Sequence, residues 1–217
     1  MGGKTIGVLG SGLVGQTLAE GLIQHGYEVM RGSRDPNKLE EWLVKYRDSA
    51  GIGNFEETAK YGDILILAVK GSVAQNVIEM SGIKNLHGKT IIDTTNPIAE
   101  APPQNGVISF FTDHNHSLME HLQESAPQAH FVKAFSCVGN AHMVNPDFGD
   151  EKPSMFICGN EKNAKEETGQ ILKEFGWDVC DMGKVEAARA IEPLCMLWCI
   201  RGFLNNKWNH AFRLLVK

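Results

Sequence analysis

TIGVLGSGLVGQTLAEGLIQHG, residues 5–26, decides the fold. An apolar run, Ile6-Gly7-Val8-Leu9, passes straight into Gly10-Ser11-Gly12-Leu13-Val14-Gly15, and an amphipathic stretch from Gln16 to His25 closes on Gly26, a glycine placed to stop a helix. Strand, glycine-rich turn and helix follow in the order a dinucleotide-binding unit requires. The three glycines do different things. Gly10 allows the tight turn, Gly12 lets a pyrophosphate approach the backbone, and Gly15 lets the helix lie against the strand. The helix start adds free N–H groups and a partial positive charge for the same anion.

The second strand, Tyr27-Glu28-Val29-Met30-Arg31, selects the nucleotide. An NAD-preferring site places Asp or Glu at its end, about 20 residues past the glycine turn, to bond the ribose hydroxyls. Gly32 stands there instead, followed by Ser33, Arg34 and, a turn later, Lys38. A hydroxyl and two cations suit a 2′-phosphate, and charge-assisted hydrogen bonds of this kind contribute roughly 1.5–3 kcal/mol each. Asp35 would repel such a phosphate, but Asp35-Pro36 has the form of a helix cap and first turn directed away. The alternative is a solvated turn; the residue types favour NADP.

The 217 residues carry a net charge of −5, with 42% hydrophobic and 22% charged residues, which offers no general attraction to nucleic acid or to an anionic membrane. No apolar run approaches the ~20 residues that span a bilayer. Met1-Gly2-Gly3-Lys4 leads directly into the first strand, so no signal peptide is expected, and Ile6 occupies the position where a myristoylation signal needs Ser or Thr. The five cysteines, Cys137, Cys158, Cys180, Cys195 and Cys199, form no CxxC pair and sit mostly in apolar surroundings. They read as free thiols in a reduced, cytoplasmic protein.

Along the chain, strands alternate with helices. A helix is expected over Pro36–Asp48, an extended piece near Ile52–Phe55, buried strands at Asp63–Val69 and Lys89–Asp93, and a helix over Ser72–Met80. Asn96-Pro97 and Pro102-Pro103 make residues 94–106 a loop. A helix near Ser117–Glu124 and a strand near Phe131–Phe135 follow. Beyond Asn145-Pro146 come strand Ser154–Cys158, helix Glu161–Phe175, strand Trp177–Asp181, a long apolar helix Val185–Phe203 and a terminal helix Trp208–Val216. The fold class is α/β, a Rossmann-type doubly wound parallel sheet with right-handed crossovers. We expect a nucleotide domain over residues 1–127 and a smaller C-terminal α/β domain over residues 128–217.

Ligands of such sheets lie outside the carboxyl ends of the strands. The segments to watch are therefore Val69-Lys70-Gly71-Ser72, Thr94-Thr95-Asn96-Pro97-Ile98 and Lys133–Met143. Lys70 can serve as a cation near the cofactor phosphates or as a proton donor to a carbonyl. His114 and His116 with His121 lack a nearby carboxylate cluster or a cysteine at ligand spacing, so no metal is expected. Neither a Ser/His/Asp arrangement nor an evident general acid is present. Hydride transfer between stacked planar rings needs positioning and exclusion of water rather than a protein acid.

These landmarks, together with Val132-Lys133-Ala134-Phe135 leading to Met143, Ile191-Glu192-Pro193-Leu194 and His210-Ala211-Phe212-Arg213-Leu214-Leu215, resemble the coenzyme F420-dependent NADP oxidoreductases over essentially residues 4–217. More distantly they resemble the cytosolic domain of the six-transmembrane ferric reductases. The resemblance implies that Ser11, Gly12, Leu13 and Val14 hold the pyrophosphate and that Ser33, Arg34 and Lys38 hold the 2′-phosphate. It places Asn96 and Ile98 on the nicotinamide side, and Ser136, Val138 and Asn140 along the nicotinamide and the acceptor ring. Two departures bear on the acceptor and neither on NADP: Ser136 stands where F420-using relatives carry a histidine, and Lys70-Gly71 where they carry Pro-Trp. The family forms homodimers, and the apolar helix over Val185–Phe203 can serve that interface or the core of the smaller domain.

The expected function is an NADP(H)-dependent oxidoreductase passing hydride between nicotinamide and a small planar redox acceptor, F420 or a flavin. Phe110 and Phe111 form either a wall for that ring or ordinary core. Reductases of small imines or hydroxy acids share such a first domain but rely on a large helical second domain, which the roughly 90 residues after Pro127 do not supply. A module that binds NADP without turnover is the remaining alternative.

Overall fold

The apolar runs become interior strands because only a sheet covered on both faces buries them. In the computed structural model, which describes residues 3–217, β1 (Thr5–Leu9), α1 (Leu13–Gln24) and β2 (Glu28–Gly32) form the expected first unit. A 3-10 turn at Pro36–Leu39 leads into a short α2 (Glu40–Lys45), then β3 (Ala50–Gly53), α3 (Phe55–Tyr61), β4 (Ile64–Leu67) and α4 (Gly71–Met80). β5 (Thr90–Asp93), α5 (Leu118–Ser125) and β6 (His130–Lys133) follow. β7 (Ser154–Gly159), α6 (Lys162–Glu174), β8 (Asp178–Asp181), α7 (Ala188–Ile191) and α8 (Pro193–Asn205) complete the chain. Met1 and Gly2, the start weighed above for a signal peptide or a myristoyl group, lie outside the described residues.

The eight strands make one sheet in the order β3-β2-β1-β4-β5-β6-β7-β8. All neighbours from β3 through β6 are parallel. β7 alone runs antiparallel to β6, and β8 is parallel to β7. The order reverses between β1 and β4, which opens a crevice at their carboxyl ends. The expected division after Pro127 falls between α5 and β6, where the sheet runs on without interruption. Ile6, Val8, Leu18, Leu22, Val29 and Ile64 fill one face; Leu9, Leu65, Leu67, Ile78, Ile91 and Phe131 fill the other.

Several elements differ from expectation for identifiable reasons. Phe55, expected to close a strand, opens α3, because Asn54 caps that helix through the Glu57 N–H while Glu57 reaches back to the Asn54 N–H, a reciprocal capping box. The long helix expected over Val185–Phe203 is a 3-10 turn at Val185–Ala187, α7 and α8, broken at Glu192 where Pro193 has no N–H to give to the ladder. The expected helix over Trp208–Val216 does not form. Instead Asn206 turns the chain at φ 51°, and the tail folds back with Trp208 over Gly202 and the His210 ring stacked on Trp198 at 5.0 Å. The Ser154 N–H donates to the Phe212 carbonyl, so tertiary contacts take up tail backbone groups that a helix would have satisfied internally.

Candidate functional site

The three glycines of the turn separate cleanly by what surrounds them. A side chain at Gly10 would strike the Ala68 carbonyl at the end of β4, and one at Gly15 would meet the Gly10 carbonyl oxygen at 2.7 Å. Both are glycine so that loop, strand and helix can touch. A Cβ at Gly12 would meet nothing within 4 Å. Its small size answers to no protein neighbour, and it leaves the backbone open to an approaching group. Gly12 also caps α1 with no side-chain hydrogen bond, and α1 has no acidic residue in its first turn. The N–H groups and positive end of a helix of 12 residues therefore face an exposed mouth bordered by Ser11 and by Leu13, 71% exposed. Val14, half-buried, packs on the core beneath.

Beside this mouth the chain leaves β2 through Ser33, buried, whose hydroxyl accepts from the Asp35 N–H at 3.2 Å. Arg34 and Lys38 are exposed, and neither side chain makes an ion pair or hydrogen bond among the described residues. Asp35 occupies the cap of the 3-10 turn with Pro36 at its first position, as expected, although its carboxylate makes no capping bond.

Sequence reasoning passed over Arg31, one position before Gly32 and 1% exposed. Its guanidinium lies 4.8 Å from the Trp42 ring centroid, its Nη2 donates weakly to the Gly12 carbonyl at 3.4 Å, and its Nε has no partner. Burial pushes this guanidinium down to about 10, against the pull of Glu20. The available signal was an arginine inside the apolar run Val29–Gly32.

The remaining candidates line the carboxyl ends of β4, β5 and β6. Val69 and the exposed Lys70 follow β4, and Lys70 caps α4 with an unengaged side chain. Gly71 is pressed against the Asn96 carbonyl, which locks the start of α4 to the loop after β5. Asn96 Oδ1 and Ser136 Oγ are buried without a hydrogen-bond partner. Two orphaned polar atoms beyond adjacent strands are expensive to leave unmet and suit a polar ligand edge. Ser136 follows Phe135, buried and held at φ 63°, a left-handed conformation that costs a bulky residue on the order of 1–3 kcal/mol and concentrates at working sites. Val138 belongs to the core cluster with Phe135 and Met143, and Asn140 opens the 3-10 turn after it.

Ile98, 41% exposed, shares a cavity of about 520 Å³ with Gly71, Ser72, Phe111 and His121. Neither Phe110 nor Phe111 is core: Phe111 walls this cavity, and Phe110 a neighbouring one of about 240 Å³.

Behind these loops lies a buried charge cluster. Lys133 Nζ, fully buried, meets Asp93 at 2.6 Å, Glu192 at 2.9 Å and the Thr95 carbonyl at 2.9 Å. Burial alone would lower the Lys133 ammonium, but the two carboxylates outweigh it and hold it above its ordinary value. Glu192 also accepts from the Leu118 and Met119 N–H groups at 3.0 Å, capping α5 from α8's threshold. A lysine inside Phe131–Phe135 was the sequence signal; its partners lie 40 and 59 positions away.

Comparison with known proteins finds similar chains. Residues 5–97 match the family model described as NADP oxidoreductase coenzyme F420-dependent. The rat Metalloreductase STEAP3 is 26% identical over 189 residues, 87% of this chain and 36% of the relative. The chain thus spans about a third of the length of the curated relatives it matches. A crystal structure from Arthrobacter sp. FB24, of a proposed F420-dependent NADP-reductase, superimposes with TM-score 0.91 at 29% identity, covering 99% of this chain and 100% of that one. An imine reductase from Streptomyces aurantiacus shares the fold alone, with TM-score 0.66 at 14% identity over 92% of this chain and 62% of that one. By the match over residues 5–97 and a fold shared over nearly its whole length, the chain is similar to the coenzyme F420-dependent NADP oxidoreductases.

Proposed function

We propose that this chain binds NADP(H) across the crevice between β1 and β4 and passes hydride between its nicotinamide and a small planar acceptor, F420 or a flavin. The observation that carries the reading is Gly12, open on the helix axis, beside two unengaged cations at Arg34 and Lys38. Bound NADPH would supply the hydride. The backbone of Ser11–Val14 takes the pyrophosphate at the start of α1, and Ser33, Arg34 and Lys38 take the 2′-phosphate. Asn96 Oδ1 accepts from the carboxamide edge, while Ile98, Ser136, Val138 and Asn140 keep the nicotinamide and acceptor rings in register and away from water. No side chain here is asked to hold or move a proton in the hydride step.

The apolar side chains Leu197, Phe203, Leu204 and Leu215 stand exposed on α8 and the tail, which supports a homodimer through that face. Both halves of the sheet act as one unit in this reading, with nucleotide held by residues 1–127 and acceptor by residues 128–217. A cytoplasmic setting fits the unpaired cysteines. No helix among the described residues is long and apolar enough to cross a membrane.

The deciding experiment is anaerobic NADPH oxidation by the purified chain with F420, FMN and a ferric chelate as acceptors and NADH as control. Turnover with F420 or FMN establishes the reaction. Turnover with iron alone replaces the planar acceptor by a metal chelate. NADPH binding with no turnover against any of them leaves a nucleotide-binding module.

A further inference from the structure

The exposed face of α5 carries a cluster outside the residues assigned to the nucleotide and the acceptor. His121 and Glu124 stand three residues apart and so share one stripe of the helix. His116, on the loop before the helix, turns onto the same stripe. Its Nε2 lies 3.0 Å from a Glu124 carboxylate oxygen, and its ring meets the His121 ring edge to face with centroids 4.0 Å apart. One donor atom from each of the three lies within 4.8 Å of the other two. The His121 ring makes no hydrogen bond among the described residues, so ordinary pairing accounts for His116 and Glu124 but not for the third member.

The backbone under these side chains is fixed from both sides. Asp113 accepts from the Asn115 N–H at 2.7 Å and the His116 N–H at 3.1 Å. Ser117 and Glu120 close a reciprocal capping box at the start of α5, and Glu192 takes the next two N–H groups. Three ligating groups thus stand on a rigid base with their ends toward solvent, a condition under which a site forms with little reorganisation.

We propose that His116, His121 and Glu124 form a three-ligand site for a divalent transition-metal ion of the Zn(II) class. Two imidazoles and one carboxylate are a donor set for zinc and its neighbours. The set has too few oxygens for calcium and no thiolate for Cu(I). A tetrahedral ion with bonds of about 2.0–2.2 Å holds its ligand atoms roughly 3.3–3.6 Å apart, which side-chain rotation reaches from the present spacing. Three protein ligands leave a fourth position open. His121 also belongs to the wall of the 520 Å³ cavity with Ile98 and Phe111, so the ion would sit at the rim of that cavity. The site stands independently of the nucleotide reading.

The test is titration of the full chain with Co²⁺, read by visible absorption, and with Zn²⁺, read by calorimetry. One saturable ion per chain is expected, with d–d bands and no thiolate charge-transfer band. His121→Ala and Glu124→Gln should each weaken binding by at least the roughly 10–100-fold that loss of even an outer partner costs, while His114→Ala leaves it unchanged. All three substituted positions are exposed, and circular dichroism confirms that the variants fold. Absence of saturable binding, a thiolate band, or undiminished binding by His121→Ala overturns the site.

Discussion

Two lysine-and-arginine neighbourhoods in this molecule treat positive charge in opposite ways. After β2, Arg34 and Lys38 stand in solvent with no partner among the described residues. At the end of β6, Lys133 is fully buried between Asp93 and Glu192, with a backbone carbonyl completing its shell. The proposed 2′-phosphate charges and the architectural one thus differ in hydration and pairing. A charge that waits for a ligand stays hydrated and unengaged, because a protein partner would compete with the ligand. A charge that joins elements is dried and fully paired, because burial without partners is too expensive.

Lys133 should show the greatest loss on substitution. Lys133→Met leaves two carboxylates buried without their counter-ion and should cost roughly 3–5 kcal/mol in urea unfolding. A loss below about 1 kcal/mol would mean that the triad is not what joins β5, β6 and α8.

A second paired charge sharpens the architectural side through pH. Glu120, buried on α5, is held down at about 2: burial would raise it, but Arg189 and the Ser117 N–H and hydroxyl overcome that. A depressed carboxylate stabilises fully above its ordinary value of 4.5 and loses that contribution as pH falls toward 2. The contribution is up to about 3 kcal/mol, less the screening expected at partly exposed Arg189. Glu120→Gln, which keeps the cap, should therefore destabilise at pH 7 and converge on the parent as the acid melt proceeds. A difference independent of pH would remove the ionic part of the argument.

On the binding side, Arg34→Ala should weaken NADPH by roughly 10–100-fold, a loss of about 1.5–3 kcal/mol, and leave NADH nearly unchanged, as read by fluorescence titration. Equal weakening of both cofactors would make Arg34 structural and erase the contrast with Lys133. Unfolding of Arg34→Ala should track the parent.

A small stability effect is also expected at Gly12. Gly12→Ala meets no protein atom and should shift unfolding by less than about 1 kcal/mol while NADPH affinity falls at least about tenfold. Gly10→Ala, driven into the Ala68 carbonyl, should instead damage the fold itself. If the two glycines behave alike, Gly12 is packing and not a ligand cradle.

Much of this was legible along the chain. The strand–glycine–helix order, the replacement of an acidic residue by Gly32, the apolar run Ile64–Leu67 of β4 and the Ile91-Ile92 pair of β5 are local patterns readable from period and spacing. Local chemistry also located α5, whose Ser117 and Glu120 cap each other within one turn. What escaped was long-range or competitive. The terminal helix lost because Ser154, Trp198 and Gly202, distant in sequence, satisfy the tail's backbone and rings better than its own turns could. Arg31 looked like one more strand residue until Trp42 and Gly12 closed around it. The histidines gave no metal expectation for want of a nearby carboxylate; the fold brings the Glu124 carboxylate within 3.0 Å of His116.

Sequence by itself thus determined the class of fold, the place of the nucleotide turn and the sign of the charge beyond β2, since each depends on residues within a few positions of one another. Tertiary structure alone decided which glycine faces open space, which polar atoms at Asn96 and Ser136 are left without partners, and which lysine is locked by carboxylates 40 and 59 positions away. Those properties belong to the space between elements, and that space exists only once the sheet has closed around its core.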